Sequence, residues 1–184
     1  MTYSPEHPRE PQDVWIAVDG TALVIRPIDP DDAAREQAFV RELSPHSRRL
    51  RFMGALRELS PAQLARFTHI DVAREFALVA LQRDADGNEV QVGVARFATR
   101  ADARSCEFGI VIADAWQGRG LGRHLMTRLI RAAAGRGLQR MSGEVLADNH
   151  AMLALARSLG FTVEAAAGDP SLRHVVLLLD ARPQ

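Results

Sequence analysis

"SCEFGIVIADAWQGRGLGRHLM", residues 105–126, runs from an apolar β-type stretch through three glycines at alternate positions into a helix-like sequence. Glycine suits a backbone that bends sharply or lets another group approach closely. A helix starting at this point adds unpaired N–H groups and partial positive charge. Gly118, Gly120 and Gly122 therefore either hold an anion at the head of the helix or only turn a corner. A nucleoside-triphosphate loop requires G-x-x-x-x-G-K-[ST]. The chain contains no lysine, all 23 of its basic residues being arginine, so that reading fails. A dinucleotide fingerprint requires G-x-G-x-x-G, and counted from Gly118 its last position falls on Arg123. What is left is a run of amide N–H groups able to cradle an anion, with Arg119 and Arg123 as counter-charge.

The surrounding chain suits such a site on a globular domain. Its 184 residues are 47% hydrophobic, enough for one domain with a real core. The 23 acidic residues balance the 23 basic ones, so composition carries no nucleic-acid footprint. No apolar run is long enough to span a bilayer. The N-terminus, "MTYSPEHPREPQDVW", has acids and prolines where a signal peptide needs a basic start and an apolar core. The single cysteine, Cys106, excludes an internal disulfide framework. A cytoplasmic protein with no membrane or nucleic-acid partner is expected.

Residues 1–18 hold three of the nine prolines and no periodic apolar pattern, which predicts an extended N-terminal arm. "TALVIRPI" (21–28) alternates as a strand, and "DPDDAAREQAFVREL" follows as a helix with Asp29 as cap and Pro30 in first place. Two more helices are expected from the Ser-Pro starts at 44–54 and 60–70. "FALVALQ" (76–82) and "VQVGVARFA" (90–98) flank an Asp-Gly turn, and residues 105–113 complete the meander. Leu121, Leu125, Leu129 and Ala132 or Ala133 then mark one face of an amphipathic helix. A strand at 137–146, a helix at 149–161 ended by Gly160, and two closing strands give an α/β (α+β) architecture with a mixed sheet.

The pattern Q-x-x-G-x-G at Gln117, Gly120 and Gly122, directly after an apolar strand, is similar to the acetyl-CoA-binding motif of the GNAT superfamily of N-acetyltransferases. "VLADNHAMLALARSLGF" (145–161) resembles that superfamily's second block, with Asn149 in the asparagine position and Leu159-Gly160-Phe161 closing it. The resemblance implies a mixed, mostly antiparallel sheet of about seven strands flanked by helices. It also implies a splay between the strands at 105–113 and 137–146, within one domain at 19–184. The amides of Gln117, Gly118, Arg119, Gly120, Leu121 and Gly122 would hold the CoA pyrophosphate, with Arg123 on the helix facing the phosphates. The backbone of Ile110, Val111 and Ile112 would bond the pantetheine arm and acyl carbonyl, and Asn149 would contact the pantetheine. Read without the resemblance, Asn149 is a helix cap and Gly109 a strand bulge. Acetyl-CoA is the implied cosubstrate; no two histidines have metal-ligand spacing, and no metal is expected.

Acetyl transfer to an amine needs a neutral nitrogen, a base to take its proton, and donors for the carbonyl oxygen. Glu107 is the candidate base. Alternation puts Glu107, Gly109 and Val111 on one face of the strand, with Phe108, Ile110 and Ile112 on the other. A carboxylate in so apolar a strand is expected to have a raised pKa; the competing role is a structural ion pair with an arginine. His46, His69, His124, His150 and His174 are weaker candidates. Many superfamily members carry a tyrosine acid four residues before the glycine of Leu-Gly-Phe. Ala156 stands there, and the only tyrosine is Tyr3 in the arm. That departure leaves open an acyl-CoA-binding regulatory module without turnover.

The run "RPIDPDDAAREQAFVRELSPHSRRLRFMG" (26–54) resembles the GNAT domain of bacterial protein lysine acetyltransferases, some of which act on acyl-CoA synthetases. A protein lysine is therefore the expected acceptor, and Glu107 falls where that subfamily has its catalytic glutamate. Arg48, Arg49 and Arg51 either face an acidic protein surface or form a solvated helix face. A small amine would favour a site rich in carboxylates. Asp31, Asp32, Glu36 and Glu42 are available, but the first three fit better as helix-start acids.

Overall fold

The computed structural model describes residues 12–179. Strand β1 (Asp13–Ile16) pairs antiparallel with β2 (Ala22–Pro27) through a turn in which Thr21 N–H donates to Asp19 Oδ1. Residues 13–16 thus belong to the sheet, and the expected arm boundary at residue 18 falls inside a hairpin. Tyr3 and the other residues before 12 lie outside the described residues.

Asp29 caps a 3-10 turn (Pro30–Asp32), with Asp32 completing the reciprocal cap, and only then does α1 (Ala33–Glu42) begin. The two Ser-Pro starts behave as read: Ser44 caps α2 (Pro45–Phe52) and Ser60 caps α3 (Pro61–Thr68). Proline lacks the N–H that the first helical position would leave unpaired. The meander follows as β3 (Glu75–Arg83), β4 (Glu89–Thr99) and β5 (Ser105–Ile112). Helix α4 (Leu121–Gly135), β6 (Arg140–Leu146), α5 (His150–Ser158), β7 (Thr162–Ala165) and β8 (Leu172–Leu178) complete the chain.

The strands form one sheet in the order β1-β2-β3-β4-β5-β6-β8-β7. It is mixed and mostly antiparallel as expected, with eight strands rather than about seven among the described residues, β1 being the addition. Among the described residues its only parallel pairing joins β5 and β6, across the connection that carries α4.

Each face of the sheet carries its own core. Leu121, Leu125, Leu129 and Ala133 of α4 have no exposed surface and pack with Leu78, Phe97 and Met141 on one face. Of the two alternatives at the end of that stripe, Ala133 is the buried one. Phe39, Val40 and Leu43 of α1 pack with Val79, Val94 and Val111 on the other. Burying a leucine side chain contributes about 1.5–3 kcal/mol, so the α4 stripe holds the glycine loop's helix firmly to the sheet.

Candidate active site

β5 leads into the site, and its alternation is as read. Phe108, Ile110 and Ile112 pack with the α4 core, while Val111 packs with the α1 core. Pairing between β5 and β6 covers only Ser105–Glu107 against Arg140–Ser142, and then the strands part. They part where the Phe108 ring lies against Gly143: a Cβ on Gly143 would come within 2.8 Å of that ring. Phe161 meets the same ring edge-on at 5.4 Å. A phenylalanine facing a glycine at the first unpaired position is the physical cause of the expected splay.

The splay leaves backbone groups open. Ala113 N–H donates to Val92 O, and antiparallel bonding alternates. Val111 and Gly109 therefore spend their backbone groups on β4, while Ile112, Ile110 and Phe108 turn theirs toward the gap. Of the three residues expected along the pantetheine, Ile110 and Ile112 thus turn backbone groups toward the gap, whereas Val111 turns its own toward β4 and lines the cleft. Gly109 is no bulge, since it pairs in register with Arg96.

Past β5 the chain makes a 3-10 turn (Asp114–Trp116) and enters the glycine loop. Gly118 has φ +72° and Gly120 φ +93°, a region that disfavours side chains. Gly122 is different: it is helical, and a Cβ there would meet Leu155 only at an ordinary 3.5 Å. Nothing in the protein itself demands glycine at 122, but an anion close to the backbone would. The first bond of α4 runs from His124 N–H to Gly120 O, so the N–H groups of residues 118–123 have no acceptor among the described residues. Consecutive free amides at a helix head, beside a side-chain-free surface, fit a diphosphate.

The arginines of the loop divide. Arg123 borders the cleft and donates to Ser158 Oγ at 2.7 Å, tying the loop helix to α5. Arg119 turns away: it pairs with Asp19 at 2.7 Å and lies over the Trp116 ring. Arg119 can serve the cradle through its amide, not as counter-charge. Leu121 likewise has only its amide to offer, its side chain being buried. Gln117 reaches back, its Nε2 donating to Ile112 O and to Ser47 Oγ, each at 3.1 Å.

Asp114 anchors the loop to α2. It accepts from Ser44 N–H (2.9 Å), Ser44 Oγ (2.7 Å) and Ser47 Oγ (2.8 Å). Burial pushes its carboxyl up, but the Ser44 and Ser47 bonds outweigh that and hold it below the usual carboxylate range. Asn149 caps α5, its Oδ1 accepting from Met152 N–H at 3.1 Å. It also borders the cleft, so the cap leaves its amide group as a donor there.

These elements enclose a cleft of about 820 Å³, lined by the glycine loop, β5, α2 and the start of α5, within the range of small-molecule sites. Glu107 lines it at the far end from the loop. The apolar surrounding expected for its carboxylate is not there. The side chain is half exposed, and Arg100 donates to its Oε2 at 2.9 Å. An ion pair and a place in the cleft coexist at this residue. Ala156 is fully buried in α5, so no tyrosine hydroxyl enters from that position.

Arg48, Arg49 and Arg51 do not form one patch. Arg48 caps the end of α1 through the carbonyls of Arg41 and Leu43, and Arg49 pairs with Asp148. That bond holds the Asp148 carboxyl below its usual range. Arg51 alone enters the cleft, its guanidinium lying over Gly109. Of the acids weighed for a small amine, Asp32 is bound by Arg26 and Arg35 and Glu36 is buried against Gln91. Neither lines the cleft. Phe108, Gly143 and the Asp114 network were not singled out as site determinants in the sequence, Arg51 was weighed only as one of three clustered arginines, and Glu144, on the β6 side of the cleft, was not considered. An arginine facing a strand glycine is a signal visible only once the register is known.

The fold and cleft define an acetyl-CoA-dependent transferase. The family model described as Acetyltransferase (GNAT) family matches residues 40–161. The acetyltransferase PA5475 of Pseudomonas aeruginosa is 39% identical over 151 residues, 81% of this chain and 81% of that one. Among solved structures, the GNAT domain of S. lividans PAT superposes with a TM-score of 0.81 at 27% identity, covering 91% of this chain and 97% of that one. The yncA protein of Salmonella typhimurium, solved with its cofactor acetyl-CoA, superposes with a TM-score of 0.68 at 25% identity, covering 88% and 96%. The chain belongs to the GNAT family of acetyltransferases, and its cosubstrate is acetyl-CoA. No helix among the described residues is long and apolar enough to cross a membrane.

Proposed function

We propose that the protein acetylates a primary amine, a protein lysine being the first choice, by direct attack in a ternary complex with Glu107 as general base. The observation that carries this reading is the continuity of one cleft from the free amides of residues 118–123 to the Glu107 carboxylate. The amides and Arg123 take the diphosphate, Ile110 and Ile112 line the acyl arm, and Asn149 donates its amide from the opposite wall. Arg100 occupies only Oε2 of Glu107, so Oε1 is available for the amine proton. As the new N–C bond forms, the C–S bond breaks. With Ala156 in the usual tyrosine position, the departing thiolate takes its proton from water. The acceptor side rests on α2, whose His46, Leu50 and Met53 line the cleft. That segment lies within the run resembling lysine acetyltransferases.

The test is thiol release from acetyl-CoA over a panel of proteins, including an acyl-CoA synthetase, and small amines, with intact-mass analysis of every protein. Because the chain has no lysine, a lysine label must sit on the partner. Glu107→Gln is expected to lower kcat by about 10²–10⁴-fold with CoA still bound. An unchanged kcat across pH removes Glu107 as base. Turnover confined to small amines moves the acceptor to that class.

A further inference from the structure

Arg51 is a cleft cation with no carboxylate bonded to it among the described residues. Its guanidinium lies over the backbone of Gly109, where a Cβ would come within 2.9 Å of a guanidinium nitrogen. Glycine at 109 is what makes room for it. The side chain is partly buried and makes no hydrogen bond or ion pair among the described residues. Its guanidinium lies 5.2 Å from the centre of the Phe52 ring. A second guanidinium stands beside it, since Arg96 is the cross-strand partner of Gly109. Arg96 is satisfied by Phe67, donating to its carbonyl at 2.9 Å and stacking on its ring at 4.4 Å. The nearest carboxylate acting on both is Glu36, which is buried and hydrogen-bonded to Gln91. Arg96 also feels Glu75, whereas Arg51 has only this committed anion acting on it. Burial, then Arg96, push the Arg51 guanidinium down to about 10, still a cation at neutral pH.

The other acids lining the cleft do not fill this gap. Glu107 is taken by Arg100 and Asp148 by Arg49, while Glu144 on β6 is exposed to solvent. Nor is Arg51 placed for the diphosphate. Gly109 lies three residues before the end of β5, about 10 Å up the strand from Ile112, and the glycine loop is further still. It lies two residues from Glu107 on the same strand face, where the proposed function puts the reacting carbonyl.

We propose that Arg51 binds a carboxylate of the substrate next to the reacting centre, so that the enzyme selects a substrate carrying a carboxylate within reach of the acyl carbon. This rests on the acetyltransferase reading above. An arginine fork and a carboxylate form paired, charge-assisted bonds, which no neutral group of equal size replaces. The carboxylate belongs either to the acyl group, as in a dicarboxylic acyl-CoA, or to the acceptor, as an acidic residue beside the target lysine.

Two matched pairs distinguish these sources: succinyl-CoA against butyryl-CoA, and lysine peptides flanked by aspartate against the same peptides flanked by asparagine. Binding is measured by titration calorimetry, the peptides with CoA present, and kcat/KM by thiol release. Wild type is expected to favour the carboxylate member of one pair by about tenfold or more. Arg51→Gln brings that ratio close to one, and Arg51→Lys keeps part of it. The ratio is internal to each variant, so a poorly folded protein cannot mimic the result. Ratios near one in wild type for both pairs, or a ratio that survives in Arg51→Gln, overturn the proposal. CoA binding without turnover defeats the catalytic reading alone, because the binding ratios still decide the role of Arg51. Failure to bind any acyl-CoA defeats both.

Discussion

Ser47 Oγ donates a 2.8 Å hydrogen bond to Asp114 across 67 positions of sequence, and the same oxygen accepts from Gln117 Nε2 at 3.1 Å. One hydroxyl therefore joins the helix on the acceptor side to the loop on the CoA side. Asp114→Ala breaks the helix-cap contacts of Ser44 as well, and is expected to cost about 1–3 kcal/mol of stability. Ser47→Ala removes only the link, so it should weaken CoA binding more than it lowers the melting temperature. Calorimetric titration with CoA beside a thermal melt checks both; equal CoA affinity in Ser47→Ala and wild type removes the coupling.

Gly120 and Gly122 are expected to fail in different ways when changed to alanine. At Gly120 a Cβ would find Trp15 at an easy 3.7 Å, but φ is +93°, so Gly120→Ala costs about 1–2 kcal/mol of backbone strain. Gly122 is helical, and alanine there matches or raises stability while placing a methyl in the cradle. Gly122→Ala should therefore melt no lower than wild type yet bind CoA more weakly. A Gly122→Ala protein that keeps wild-type CoA affinity contradicts the diphosphate site.

Asp32 makes the fold acid-sensitive. Its fully buried side chain accepts from Arg26 at 2.6 and 2.7 Å, from Arg35 at 3.0 Å and from Asp29 N–H at 2.8 Å. Burial pushes its carboxyl up, but those bonds prevail and set it below the ordinary 3.8. A folded value below the unfolded one means the stabilisation is complete above the ordinary value. It is lost as pH falls through that value toward the folded one. Denaturant midpoints of wild type should drop between about pH 5 and pH 3. Asp32→Asn should lose about 3 kcal/mol at neutral pH and show a shallower acid slope. An unchanged slope assigns the sensitivity elsewhere.

Cys106 is fully buried, and burial pushes its thiol up to about 12. The native protein at pH 8 should resist thiol reagents and react only on unfolding, since the thiolate is the reactive form. Stopped-flow labelling with and without denaturant tests this. Fast labelling of the native state shows instead that the β4–β5 region opens readily.

The local chemistry of this chain was legible from its sequence because its causes lie within a few residues of one another. Ser-Pro starts cap α2 and α3, a spacing of four writes the buried stripe of α4, and Gly160 turns left-handed where it ends α5. The strand–glycine–helix order pointed to an anion cradle or a bare turn, and only the resemblance of two motifs to the GNAT superfamily made CoA the expected ligand. A reading of residues 13–16 as arm failed because a four-residue edge strand has no periodicity of its own and exists through its partner β2.

What tertiary structure alone decided is where charge and hydrogen-bonding capacity are spent, because those partners lie far apart in sequence. Arg119 was expected at the phosphates, but Asp19, 100 positions away, takes its guanidinium. Glu107 was expected in an apolar setting, but the sheet brings its side chain to the surface beside Arg100. Arg48, Arg49 and Arg51 are near neighbours in sequence, yet helical turning sends one to α1, one to Asp148 and one over Gly109. A sequence states which residues can carry charge or donate bonds. Only the packed sheet determines which of those capacities are neutralised internally and which are left for a substrate, because an ion pair forms wherever the fold brings its members within a few ångströms.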